Sequence, residues 1–429
     1  MSGKEKKLLW LRLDNAAKIY PAARSQTWSN TFRLSATLTE DVDVPLLENA
    51  LEFAVRRFPS IAARLRRGLF WYYLQQLPHG PQIQQENSFP LTHMTRSEVR
   101  NCAFRVIVWK NRIAVEFFHS LTDGTGGLIF LKSLVAEYLK LKYGIRICAD
   151  AGIPDMHSKP EPEELEDSFL KYAGAVAAPR QENDAWHLYG TREPDGFHHL
   201  TCLQVPVQDA LQKAHEYGVS LTVYLAAVMM QALQELQARQ EPEARHRKPI
   251  RIQIPVDLRR LFPSRSLRNF ALYTTPEIDP RLGAYSFPEI CDAVRHRMGL
   301  EVNPKVMSAK IAANVGSEKM LAVRLMPLFI KNLVLKAVFL SVGERTSCLS
   351  VSNLGNVNLP AEMTPYVRRM DFILSSQATR PHNCGVLSYG DTLYINFIRN
   401  IREPELEYHF FRVLQSHGLS VTAESNGPN

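Results

Sequence analysis

The chain has 429 residues, about two to three times the usual length of one domain, so two domains are expected and three are possible. Hydrophobic residues make up 45% and charged residues 22%, a globular balance that excludes a wholly disordered or collagen-like chain. Lys and Arg number 51 against 43 Asp and Glu, and the resulting +8 favours an anionic partner without choosing among phosphorylated cofactor, acidic protein, nucleic acid and membrane surface.

No two of the six cysteines form a CxxC pair, which argues against a structural zinc site, and a chain this long is no dense disulfide scaffold. Scattered reduced thiols fit a cytoplasmic protein. Met1 to Lys7 is polar with no apolar core behind it, so no signal peptide is expected. From Leu321 to Gly343 an apolar run is broken by Arg324, Pro327, Lys331 and Lys336. That pattern argues against a spanning helix, and the stretch Arg324 to Val342 predicts an internal packed helix in preference to one lying on a membrane.

In chain order, Thr31 to Leu38 reads as a strand, and Asp43 with Pro45 opens a helix running to about Arg57. Leu69 to Leu77 is aromatic and β-prone. Ala103 to Trp109 and Ile113 to Phe118 flank Lys110-Asn111-Arg112 and predict a hairpin. His119-Ser120-Leu121-Thr122-Asp123-Gly124 follows, then a helix with apolar residues at helical spacing. Prolines and the acidic run Glu161 to Asp167 suit a crossing linker. Beyond it come a strand at Leu200 to Val205, a helix from Ser220 to about Arg239 and a loop from Gln240 to Lys248. A strand from Pro249 to Val256 ends at Asp257-Leu258-Arg259. Two helical stretches precede strands at Cys348 to Ser352, Met370 to Ser375, Gly385 to Tyr389 and Thr392 to Phe397, and a terminal helix closes the pattern. Strands mixed with helices on both sides of a linker predict an α+β chain. The expected division is an N-terminal lobe over 1–150, a crossing linker over 151–190 and a C-terminal lobe over 191–429.

His119 carries the chemistry of this pattern. A histidine at the end of a strand can project from a rigid edge into a cleft, and its near-neutral pKa suits proton transfer. Gly124, Gly126 and Gly127 permit close approach of a ligand or another backbone. These glycines match neither GxGxxG nor the P-loop pattern. His198-His199 reads as packing in preference to a metal pair, and no metal site is expected.

His119 to Gly124 matches the HxxxDG motif, and here the chain resembles the chloramphenicol-acetyltransferase-like superfamily. That group includes peptide-synthetase condensation domains, polyketide-associated acyltransferases and alcohol acetyltransferases. Ile254 to Arg259, followed by Leu267-Arg268-Asn269-Phe270, resembles the superfamily's second-lobe strand bearing an arginine. Ser350-Val351-Ser352-Asn353-Leu354-Gly355 resembles the Ser-Asn-Leu-Gly segment of the alcohol acetyltransferase branch. The three motifs stand in the right order, and the resemblance spans about residues 10–415.

The resemblance implies two lobes in a V shape with a tunnel between them, where a thioester donor and an acceptor meet. It implies that His119 takes a proton from the acceptor hydroxyl or amine as that group attacks the thioester, without an acyl-enzyme. Asp123 either orients His119 or forms a structural ion pair with Arg259, and the resemblance favours the ion pair, with the Arg fork holding the carboxylate bidentately. Ser352 and Asn353 are candidates for stabilising the oxyanion or lining the tunnel, or form a plain turn. Phe118 stands where condensation domains usually carry a second histidine. Tyr389-Gly390-Asp391-Thr392-Leu393-Tyr394 stands where many relatives carry DFGWG. The implied function is acyl transfer from acyl-coenzyme A to a small alcohol or amine, by a monomer with no tightly bound cofactor and no nucleic-acid partner. The alternatives are a condensation-type enzyme fed by an acyl carrier protein's phosphopantetheine, and a catalytically silent relative that binds a thioester or partner protein.

Overall fold

Three β-sheets organise the computed structural model, which describes residues 8–24, 30–177, 184–194, 196–340, 345–377 and 379–427. Met1 to Lys7 and Pro179 of the expected linker lie outside the described residues.

The strand Thr31–Leu38 pairs antiparallel with Arg112–Phe118, which pairs antiparallel with Phe104–Trp109. The hairpin reverses at Lys110, in the left-handed region at φ 49°, and the neighbouring Asn111 side chain donates to the Leu38 carbonyl at 2.7 Å. Because side chains alternate along a strand, Phe32, Leu34 and Ala36 enter the apolar core while Arg33 falls on the other face. There it lies opposite Glu116, which in turn lies opposite Arg105. The layer is buried and closed by ion pairs: Arg33 to Glu86 at 2.6 Å, Arg33 to Glu116 at 3.3 Å and Arg105 to Glu116 at 3.6 Å. Buried charges persist only when paired in this way.

Two helices pack against each other within the core of this five-stranded sheet. Val44–Arg57 starts at Asp43, whose carboxylate accepts from the Leu46 amide at 3.1 Å. Gly124–Tyr143 starts at Asp123 and stops at Gly144, where φ is 65°. The stretch expected to serve as a linker is tied to the helix Val44–Arg57 by Glu164, which receives both arms of the Arg57 guanidinium at 2.6 and 2.7 Å.

The second sheet has eight strands. Leu349–Asn356 runs parallel to both Ile250–Asp257 and His382–Tyr389, and Thr392–Arg399 and His199–Pro206 continue antiparallel. Helix Leu221–Gln240 is apolar nearly all round, so it must be buried; it packs against Glu405–Ser416 and Phe287–Glu301 in the second core. A third, three-stranded sheet joins Trp10–Arg12, Tyr72–Gln76 and Ala63–Arg67. Within the β-prone stretch at Leu69 to Leu77, Leu69 and Phe70 precede that strand and are exposed.

One strand crosses between the two halves of the sequence. Val367–Leu374, from the stretch expected to build the second lobe, pairs with Thr31–Leu38 as an edge of the first sheet. Its Phe372 carbonyl comes so close to Gly385 of the second sheet that any Cβ there would overlap it.

The apolar run beginning at Leu321 departs from the sequence expectation. It forms the helices Leu321–Leu325 and Leu328–Val338, and most of its aliphatic side chains are exposed instead of packed inside. Leu328 and Lys331 are the buried residues of the second helix, and Lys331 donates to the Phe70 carbonyl at 2.9 Å above the Trp71 ring. Residues 341–343 of the run lie outside the described residues. Among the described residues, no single helix is long and apolar enough to cross a membrane.

Candidate active site

The strand Arg112–Phe118 ends where the His119 amide donates to the Asn30 carbonyl at 2.9 Å, so the imidazole leaves a fixed sheet edge. Its ring is half-buried, stacked on Tyr20 with centroids 4.5 Å apart and edge-on to Phe32 at 5.0 Å. The Nδ1 atom lies 3.1 Å from Oδ1 of Asn269. The Asn269 amide nitrogen donates to the His119 carbonyl at 3.0 Å and to the buried Asp14 carboxylate at 3.2 Å. Those two acceptors orient the amide, so its oxygen faces the ring and Nδ1 must carry the proton. Nε2 is left with the lone pair. Burial holds the His119 pKa below its ordinary value, against the opposing pull of Asp123 and Asp14. The neutral, basic form is therefore the resting one at neutral pH.

Asp123 does not orient this ring. Its Oδ1 caps the helix by accepting from the Gly126 amide at 3.1 Å, and its Oδ2 accepts from Phe270 N at 2.8 Å and Arg259 Nη1 at 2.9 Å. The arginine fork is not spent bidentately on Asp123. Nη1 also reaches Asp257 at 2.9 Å, Nε donates to the Ser266 carbonyl at 2.8 Å and Nη2 to the Arg268 carbonyl at 2.6 Å. Arg259 thereby holds the loop leading to Asn269 against the loop leading to His119. The neighbouring carboxylates of Asp123 and Asp257 hold its pKa above the ordinary arginine value, against burial. Gly126 makes the contact possible: a Cβ would fall on the Leu267 carbonyl and the Thr122 hydroxyl that donates to it at 2.6 Å.

A cavity of about 670 Å³ opens beside these residues, lined by Tyr20, Trp71, His119, Gly124, Thr222, Tyr273, Ser352 and Asn353 among others. That volume suits a drug-sized ligand. Ser352 and Asn353 lie in the strand Leu349–Asn356, so the segment is no isolated turn. The Asn353 side chain is spent locally, accepting from Gly355 N at 2.8 Å and donating to Thr222 Oγ1 at 3.1 Å. Ser352 is buried at the cavity wall.

Sequence reasoning gave Tyr20, Asp14 and Thr222 no part in the site and Asn269 no role, since nothing local links any of them to His119. His198 and His199 are buried with separate partners, Ser376 at 3.1 Å and Glu193 at 2.8 Å. Among the described residues, no group of three or more His, Cys, Asp or Glu is arranged to hold a metal ion.

No protein-family model matches the chain, and no curated protein matches it in sequence. Solved structures do match. A trichothecene 15-O-acetyltransferase from Fusarium sporotrichioides aligns at TM-score 0.62 and 12% identity over 97% of this chain and 96% of its own. Polyketide synthase associated protein 5 from Mycobacterium tuberculosis aligns at 0.55 and 16% over 95% and 97%. The first condensation domain of the CDA synthetase aligns at 0.56 and 13% over 95% of both chains. The chain shares its fold with these acetyltransferase and condensation-domain structures.

Two features depart from the motif pattern expected from the sequence resemblance. Phe118, at the position of the second histidine, is fully buried in the core and stays away from the cavity lining. Tyr389 to Tyr394 forms a tight hairpin with Gly390 at φ 57°, and the Tyr389 hydroxyl donates to the Val367 carbonyl at 3.0 Å.

Proposed function

We propose that this chain is an acyltransferase that moves an acyl group from acyl-coenzyme A to the hydroxyl or amine of a small-molecule acceptor. The observation that carries the reading is the Asn269–His119 contact, which keeps the proton on Nδ1 and leaves Nε2 basic at a cavity wall. In this reading Nε2 removes the acceptor proton while the acceptor oxygen or nitrogen bonds to the thioester carbon. The C–S bond then breaks, and the leaving thiolate takes the proton back from the imidazolium. The Ser352 hydroxyl is the candidate donor to the oxyanion between those steps. Asp123 and Arg259 act structurally, pinning the two loops that deliver His119 and Asn269. No acyl-enzyme forms.

The cavity draws its lining from both halves of the sequence, which supports the division into two lobes joined by the linker over 151–190, with a V-shaped cleft and tunnel between them. The net charge of +8 suits a phosphate-bearing donor. Six free thiols support a cytoplasmic setting.

Thiol release from a panel of acyl-coenzyme A donors with mixed alcohols and amines tests the reading. Wild type is expected to release thiol only with an acceptor present, and His119→Ala to lose about 10²–10⁴-fold. Release only from loaded carrier proteins would move the donor to the carrier class, and no release from either donor would leave a silent thioester binder.

A further inference from the structure

A surface helix ordinarily turns its apolar stripe inward. The helix Leu328–Val338 turns only part of its apolar surface inward: Leu328 and Lys331 are each 3% exposed, while Leu333 on the other side is 68% exposed. Beside Leu328, the inward side carries the Lys331 ammonium, 3.6 Å from the centre of the Trp71 ring, a cation–aromatic pair. Phe329 and Leu333 stand four residues apart, as do Ile330 and Val334, and all four are exposed, so they share one side of the helix. Leu321 and Leu325 extend the surface on the preceding helix, at 68% and 61% exposure. The Leu69–Phe70 turn, tied on by the Leu328 amide donating to the Leu69 carbonyl at 3.1 Å, exposes two more apolar side chains. An exposed apolar patch this continuous marks an interaction surface.

Charge selects the occupant. From Met320 to Leu340 the charged residues are Arg324, Lys331 and Lys336, and the stretch Arg64 to Phe70 holds three arginines and no acid. Arg324, Lys336 and Arg67 are exposed. An acid, Glu318, stands beside Lys331 but is paired with Lys18, so cations outnumber anions along the border. Apolar side chains with such a rim complement an anionic bilayer surface, where acyl chains receive the aliphatics and headgroups receive the bases. We propose that this face docks on anionic lipid, lying in the interface without spanning it. Val323, Leu335 and Val338 of the same helices line the cavity, so docking sets that wall of the cavity against the membrane. The proposal stands independently of the chemistry assigned to His119.

Vesicle flotation of the full chain tests it, comparing phosphatidylcholine alone with equal parts phosphatidylcholine and phosphatidylserine at low and high salt. Binding to the serine-containing vesicles is expected to be tighter by about tenfold and to weaken with salt. Leu325→Ser combined with Leu333→Ser is expected to weaken it by about a further tenfold or more, whereas Leu211→Ser, at an exposed leucine of another helix, leaves it unchanged. Both patch positions are exposed, so an unchanged unfolding midpoint is expected and separates lost docking from lost folding. Failure to float, equal binding to both vesicles, or binding indifferent to the double substitution overturns the proposal. A dimer that the double substitution dissociates, in a protein that does not float, gives the face to a second copy instead.

Discussion

Asn269 meets His119 across 150 positions of sequence, its Oδ1 lying 3.1 Å from the ring Nδ1 while its amide nitrogen donates to the His119 carbonyl at 3.0 Å. One side chain therefore holds both the ring and the backbone from which the ring hangs. Asn269→Ala is expected to lower kcat by about tenfold to a hundredfold, short of the full loss from His119→Ala. KM for donor and acceptor should stay nearly constant, because the lost contact touches neither. A kcat/KM split under steady-state conditions checks this, and a purely structural role would instead lower the fraction of active enzyme.

The pH dependence follows from the burial of His119, which holds its pKa below the ordinary histidine value. The base works only when neutral, so activity should rise with pH through that depressed value and be flat by neutrality. An acid limb of kcat/KM lying at or above about 6.5, the ordinary histidine value, would contradict the assignment. Stability carries the same sign. The unfolded histidine binds its proton more readily, so stability attributable to His119 is present above the unfolded pKa and falls away as the pH drops through the window below it. Denaturant titrations on either side of that window, in wild type and His119→Ala, would show it.

The pair Asp123–Arg259 is largely buried; losing Arg259 leaves the Asp123 carboxylate without its paired cation, whereas losing Asp123 leaves Arg259 still paired with Asp257 at 2.9 Å. Arg259→Met is expected to cost about 3–5 kcal/mol and Asp123→Ala less, and both to abolish activity, since the loops bearing Asn269 and His119 lose their tie. The double substitution should cost less than the sum of the two singles. Additive costs in a double-mutant cycle would mean that the two residues stabilise the fold separately.

Two glycines of one helix turn should respond differently. At Gly126 an added methyl meets the Leu267 carbonyl and splits the Thr122 hydrogen bond to it. Gly126→Ala is thus expected to cost about 1–3 kcal/mol or more. At Gly124 the nearest atom is a terminal carbon of Leu354, 2.7 Å away, the end of a side chain that can rotate aside. Gly124→Ala should cost under about 1 kcal/mol. Thermal unfolding of both variants checks the ranking.

Elements with local signals were legible in the chain. Asp43 and Pro45 announce the helix Val44–Arg57 through an N-cap and a favoured first-turn proline. The hairpin at Lys110-Asn111 and the capped helix after Asp123 were equally local. The short strands Trp10–Arg12 and Thr422–Ser425 were not, because each depends on pairing with a distant partner and carries little alternation of its own.

The sequence by itself determined that His119 ends a strand and that Asp123 starts a helix, since neighbouring residues set strand alternation and helix capping. Only the tertiary structure decided that Asn269, not Asp123, holds the ring, because that choice depends on how two loops far apart in the chain meet at Arg259. Tertiary structure also sent Val367–Leu374 to the first sheet, as an open strand edge does not encode its neighbour. At Leu321 to Leu340 periodicity showed apolar residues but not what would cover them. With Leu328 and Lys331 packed inward, the opposite side faces out, and the direction of an apolar face is settled only by what packs behind it.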